Sequence, residues 1–190
     1  MKLAHKLLCG VAAAAVIVLS SSAMAQTVVT FDDLTGQGVL ADGYGGITWG
    51  GEWSYYDANQ NPYNPASGLE RIYSYTQNAS FSFASAVQFD GAYVAGAPFG
   101  PGGLTTVAFE LFDSGTLVDT VSLNPSSTPT FLATNYSGLV TDVVVIATPG
   151  YFVLDNVTYT GASTPAPEPA SLAALGMGLV AVGLVRRRRV

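Results

Sequence analysis

Thr106-Val107-Ala108-Phe109-Glu110-Leu111-Phe112-Asp113-Ser114-Gly115-Thr116-Leu117-Val118-Asp119-Thr120-Val121-Ser122-Leu123 carries the argument for the fold class. Val107, Phe109 and Leu111 fall on one side of an extended chain and Glu110 on the other, which is the period of a half-buried strand. Asp113-Ser114-Gly115 then supplies a short hairpin turn, with Gly free to take positive φ. The return strand is Leu117–Leu123.

Outward from this hairpin the same grammar repeats. Gly, Pro, Asn and Ser interrupt the chain roughly every eight to twelve residues, and Val, Thr, Phe and Tyr fill the intervals, as in an all-β sandwich or barrel. Further strands are expected at Thr27–Phe31, Ile47–Trp49, Trp53–Tyr56, Arg71–Tyr75, Ala79–Phe83, Val87–Val94, Val140–Ala147 and Tyr151–Tyr159. Gly96 to Gly103 reads as a loop between two halves, and Thr148-Pro149-Gly150 as the turn before the last strand. Between its ends the chain shows no helix signal longer than a turn.

The ends are of another kind. Residues 1–25 have the three parts of a secretory signal peptide: basic Lys2 and Lys6, the apolar run Leu7–Leu19, and a small-x-small cleavage site at Ala23-Met24-Ala25. A helix of those thirteen apolar residues spans about 20 Å, short of a ~30 Å hydrocarbon core. At the other end, Ala162 to Pro169 is a Pro-rich linker, and residues 170–190 are a short apolar helix followed by arginines. Basic residues favour the cytoplasmic side, so Lys2 and Lys6 at one end and Arg186 to Arg189 at the other place the body outside.

Pro167-Glu168-Pro169, the apolar run Ala170–Val185 and the cluster Arg186, Arg187, Arg188 and Arg189 together resemble a PEP-CTERM sorting signal. The resemblance implies recognition by an exosortase, a membrane protease that cleaves near Pro-Glu-Pro. It also implies an inner-membrane intermediate, and delivery to the surface or matrix of a Gram-negative cell in the company of exopolysaccharide. Val28-Val29-Thr30-Phe31-Asp32-Asp33-Leu34 and Phe152 to Tyr159 are similar to the β-rich domains found ahead of such signals. The closing strands also resemble jelly-roll carbohydrate-binding modules. The expected architecture is therefore a jelly-roll-like β-sandwich over residues 26–161, flanked by the signal peptide and a C-terminal transmembrane helix.

Charge and composition limit the chemistry of that body. Twelve of the thirteen Asp and Glu lie in it against Arg71 alone, a net charge of −11, which repels nucleic acid. Residues 26–161 contain no His, Lys or Cys, so Ser-His-Asp and Cys-His catalysis, His-ligated zinc and Schiff bases are excluded. Gly43-Tyr44-Gly45-Gly46 and Gly100-Pro101-Gly102-Gly103 lack the Lys-Ser/Thr and helix of a phosphate loop and read as turns. No spacing marks a glycosidase carboxylate pair, and no enzymatic activity is expected.

Two constellations remain. Asp32 and Asp33 end the first strand and Asp155 lies in the last; if those strands adjoin, their oxygens form a candidate site for structural Ca²⁺. Aromatic residues, Tyr73 and Tyr75 among them, crowd residues 44–75 beside a polar loop from Asp57 to Pro65. Trp49, Trp53, Tyr55, Tyr56 and Tyr63 are the candidate carbohydrate contacts, since sugars need a flat apolar platform with hydrogen-bonding neighbours. Trp53 and Tyr63 are the expected exposed members. Three functions stay open: a non-enzymatic surface or matrix protein associated with exopolysaccharide, a lectin-like module, and a small glycoside-active enzyme.

Overall fold

The computed structural model describes residues 25–161 apart from 77, 98–105 and 149. In chain order the strands are β1 (Gln26–Val29), β2 (Gln37–Val39), β3 (Ile47–Thr48), β4 (Trp53–Tyr56), β5 (Arg71–Ser74), β6 (Asn78–Gly96), β7 (Thr106–Asp113), β8 (Thr116–Leu123), β9 (Thr130–Ala133), β10 (Val140–Thr148) and β11 (Phe152–Gly161). The single helical element among them is a 3-10 turn at Tyr44–Gly46. The fold is all-β.

The expected hairpin is present. β7 and β8 pair antiparallel from Val107↔Leu123 to Asp113↔Thr116, with Ser114 and Gly115 at positive φ in the turn. Val107, Phe109 and Leu111 are buried, and Glu110 is half-buried on the opposite face.

β6 differs from expectation. Ala84-Ser85-Ala86 reads as a break, yet one nineteen-residue strand runs through it. Its first half pairs β10 on one edge and β3 on the other; its second half pairs β11 and β9. Ala84, Ser85 and Ala86 fall where the β10 register shifts between Ser82↔Asp142 and Val87↔Val140, and there the strand passes from one group to the other. On one side of that passage lie β3, β10, β7 and β8; on the other lie β9, β11, β5, β4, β2 and β1.

The inner faces of the two groups share one core, as in a sandwich. Trp53 of β4 meets Phe152 of β11 at 5.9 Å and Phe81 of β6 at 6.2 Å, and Phe89 of β6 meets Phe109 of β7 at 5.5 Å. These are mostly edge-to-face contacts, the geometry favoured by the aromatic quadrupole. Both indole N–H groups are satisfied internally, Trp49 by the Tyr44 carbonyl and Trp53 by the Ser80 carbonyl.

The first and last strands adjoin, as the candidate cation site required. β1 pairs β11 from Gln26↔Thr160 to Val29↔Val157. Nearer its start, β11 pairs β5 on that same edge, through Val153↔Tyr73 and Leu154↔Ile72. The change of partner coincides with a bulge between Asp155 and Thr158, where Asn156 takes φ 50°. A second irregularity between Thr158 and Tyr159 brings β11 back into step with β6. Gly91 stands opposite Thr158 at φ 138°, and a Cβ there would lie 2.2 Å from the Leu132 carbonyl oxygen of β9. Only glycine fits between those two backbones.

Ala25 is exposed at the start of the described chain. Ala23, the two apolar terminal segments, the linker, Pro167, Glu168, Pro169 and Arg186 to Arg189 lie outside the described residues. No helix of the described residues is long and apolar enough to cross a membrane.

Candidate functional site

Strand parity sorts the aromatic crowd into two faces. β4 and β5 pair as Trp53↔Ser74, Ser54↔Tyr73, Tyr55↔Ile72 and Tyr56↔Arg71, and β2 joins with Gln37↔Tyr56 and Gly38↔Tyr55. Trp53, Tyr55, Ile72 and Gly38 share the inner face; Gln37, Tyr56, Arg71 and Tyr73 share the outer one. The sequence expectation for Trp49 and Trp53 is therefore corrected. Both are 0 % exposed, since the core needs their volume, and neither can stack on a sugar. Tyr55 is half-buried and packs against the core. Its hydroxyl lies 2.8 Å from where a Cβ on Gly38 would stand, so that glycine leaves it room across β2.

The outer face holds a cleft of about 380 Å³. Tyr56 and the half-buried Tyr63 line it, joined by Gln37, Gln60, Tyr73, Tyr75 and Tyr151, with Arg71, Phe152 and Val153. Gln37 donates its Nε2–H to the Tyr73 hydroxyl at 2.8 Å, and that hydroxyl lies 3.1 Å from the Tyr75 hydroxyl. The Tyr73 and Tyr75 rings stand perpendicular at 5.1 Å. Tyr75 is 71 % exposed and Tyr151 60 %, so each offers an aromatic face to solvent. Burial raises the Tyr63 phenol above its ordinary pKa, and the hydrogen bond with Tyr73 does the same for Tyr75. Both stay uncharged at neutral pH.

Arg71 lies below these rings, 1 % exposed. Its Nη1 donates toward the carbonyls of Tyr56 at 3.3 Å, Ala58 at 2.5 Å and Leu69 at 2.9 Å, and its Nη2 reaches Gln60 Oε1 at 3.4 Å. The guanidinium carbon also sits 4.9 Å from the centre of the Tyr56 ring. Arg71 thus holds the loop after β4 against β5. That loop is pinned further by Asn64, whose Nδ2–H reaches the Ser127 carbonyl at 2.6 Å, and by its far end at Ala66 and Ser67.

Ala66 and Ser67 carry the chain to the acidic residues. Asp155 Oδ2 accepts the backbone N–H of Ala66 at 2.7 Å and of Ser67 at 2.8 Å, and Oδ1 accepts that of Asn156 at 2.7 Å. Ser67 Oγ lies 3.1 Å from Asp32 Oδ2 and 3.0 Å from Asn156 Oδ1. Burial pushes the Asp155 carboxyl up to about 6, the three N–H groups pull it back, and Asp32 adds to the rise. Asp32 and Asp155 therefore converge on Ser67, at the gap on the β11 edge between β1 and β5. Asp33 does not join them; it accepts the Tyr44 hydroxyl, whose pKa is raised by burial and by that carboxylate. Among the described residues no group of three or more Asp, Glu, His or Cys is arranged to hold a metal ion. The junction is closed by backbone N–H groups and a serine hydroxyl.

Gln37, Arg71, Tyr151, Phe152 and Val153 are the cleft residues that the sequence did not mark as contacts, whereas Gln60 lies in the polar loop named beside the aromatic crowd. Tyr73 and Tyr75 stood in the aromatic crowd, and the alternation Arg71, Tyr73, Tyr75 was the available signal that they share a face. Tyr151 comes from the turn before β11 and reaches the cleft through the β5–β11 pairing.

Among solved structures, the chain is similar to TmCBM61 in complex with beta-1,4-galactotriose, at 11 % identity and a TM-score of 0.37, over 71 % of this chain and 95 % of that one. No curated protein matches the chain. Residues 165–189 match the PEP-CTERM protein-sorting motif, so the chain carries the terminal signal that implies export and recognition by an exosortase.

Proposed function

We propose that the chain is an exported, exosortase-processed surface or matrix protein whose jelly-roll-like sandwich binds carbohydrate in the tyrosine-lined cleft and does not cleave it. The cleft itself carries this reading. It combines exposed phenol faces at Tyr75 and Tyr151 with amide and hydroxyl partners at Gln37, Gln60 and Tyr73. Aromatic platforms bordered by neutral hydrogen-bonding groups suit pyranose rings, which have apolar faces and hydroxyl edges.

Glycoside hydrolysis needs two carboxyl groups flanking the scissile bond. No Asp or Glu is among the residues lining the cleft. The sorting motif at 165–189, taken together with this cleft, supports association with exopolysaccharide. The test is affinity electrophoresis of the full chain in gels cast with polysaccharide. Retardation that Tyr75→Ala and Tyr151→Ala abolish supports the reading; retardation unchanged in the double variant removes it.

A further inference from the structure

We infer that the cleft selects uncharged glycans and rejects acidic ones such as polyuronates. This rests on the carbohydrate reading of the cleft and adds the ligand's charge class. Arg71 is the one cation among the described residues, and it is committed to the protein. Its Nη1 faces three carbonyl oxygens, its Nη2 faces Gln60, and its carbon lies over Tyr56. The fork that would grip a sugar carboxylate is occupied and buried. Asp57 and Glu70 also act on this guanidinium, so the charge it projects into the cleft is partly cancelled.

The remaining polar groups carry no charge. Gln37, Gln60 and the tyrosine hydroxyls donate and accept as sugar hydroxyls do, and Gln37, Tyr73 and Tyr75 already form a connected network. Residues 26–161 as a whole carry a net charge of −11. A polyuronate would approach against that field and place carboxylates where no free cation waits, a like-charge mismatch that is costly. A neutral chain meets neither obstacle. Its binding should also be almost independent of salt, because no ion pair forms.

The experiment compares one backbone in two charge states: polygalacturonate, and the same polymer after chemical reduction of its carboxyl groups, alongside neutral galactan, glucan and mannan. Full-length protein in detergent is titrated with each at low and high salt. At least one neutral polymer should bind at least ~10-fold more tightly than any polyuronate. Its Kd should change less than about twofold with salt. Gln37→Lys, which adds a cation at the cleft wall, should improve polyuronate binding by roughly two- to fivefold at low salt. Preference of the wild-type protein for polygalacturonate, or loss of neutral binding at high salt, overturns the inference while leaving a carbohydrate site in place. Absence of binding to every polymer, or binding untouched by Tyr75→Ala with Tyr151→Ala, overturns the carbohydrate reading and this inference together.

Discussion

Asp155 and Ser67 meet across 88 residues of chain, with the carboxylate accepting the serine N–H at 2.8 Å where β11 exchanges β5 for β1. One buried carboxylate thus closes the sheet edge, fastens the end of the cleft loop and shares its serine with Asp32.

The charge state of Asp155 should register in stability. A free Asp titrates near 3.8, and burial in the folded protein raises Asp155 to about 6. The folded state therefore holds this proton more tightly, so its contribution is full below pH ~4 and is lost as pH rises to about 6. At about 1.4 kcal/mol per unit the loss is at most roughly 3 kcal/mol. Urea denaturation from pH 4 to 7 should show that slope, and Asp155→Asn should flatten it. A variant with the wild-type slope would show that Asp155 is not its source.

Ser67→Ala should cost about 1 kcal/mol, because it removes the hydroxyl between Asp32 and Asn156 but leaves the N–H to Asp155. Calcium should not compensate. With Asp33 turned to Tyr44, neither Ca²⁺ nor EDTA should move the melting temperature of wild type. A calcium-dependent rise would restore the cation site expected from sequence.

The two classes of aromatic residue should separate cleanly. Trp53→Ala empties a fully buried ring site and should cost about 3–5 kcal/mol. Tyr75→Ala and Tyr151→Ala remove exposed rings and should change stability by about 0.5 kcal/mol or less. Carbohydrate binding should follow the tyrosines. Thermal unfolding with gel retardation on the same samples reads both.

Gly91→Ala should be among the most damaging single-methyl changes. It adds a Cβ 2.2 Å from the Leu132 oxygen at a φ of 138° that L residues rarely adopt. Backbone strain alone costs about 1–3 kcal/mol, and separating β6 from β9 adds to it. Chemical denaturation should show a lower midpoint; a midpoint equal to wild type would mean the strands yield freely there.

Sequence patterning reached the strands that bury one face and stopped where tertiary contact decides. β7 and β8 were legible because Val107, Phe109 and Leu111 alternate with polar neighbours. β2 was not, since Gln37-Gly38-Val39 has a glycine at its centre, and that glycine is explained only by the Tyr55 ring crossing it. Ala84-Ser85-Ala86 read as a break because small residues mark both loops and strand bends. At the cleft, composition marked residues of both faces: Trp49, Trp53 and Tyr55 turn toward the core, while Tyr56 and Tyr63 line the cleft. Trp53 and Tyr56 are three apart in one strand, so one side chain goes inward and the other outward. Tyr151 could not be joined to Tyr75 before the β5–β11 pairing was known.

β11 runs from Phe152 and Val153 in the cleft to Gly161, where the chain continues toward the sorting motif. A glycan tugging at the cleft while the cell holds the C-terminal continuation would load this strand along its axis. Hydrogen bonds to β6 on one edge, and to β5 and β1 on the other, would then resist in shear, sharing the force instead of parting in turn. With the cleft at one end and the C-terminal continuation at the other, that central strand would carry force between a proposed ligand and whatever holds the C-terminus.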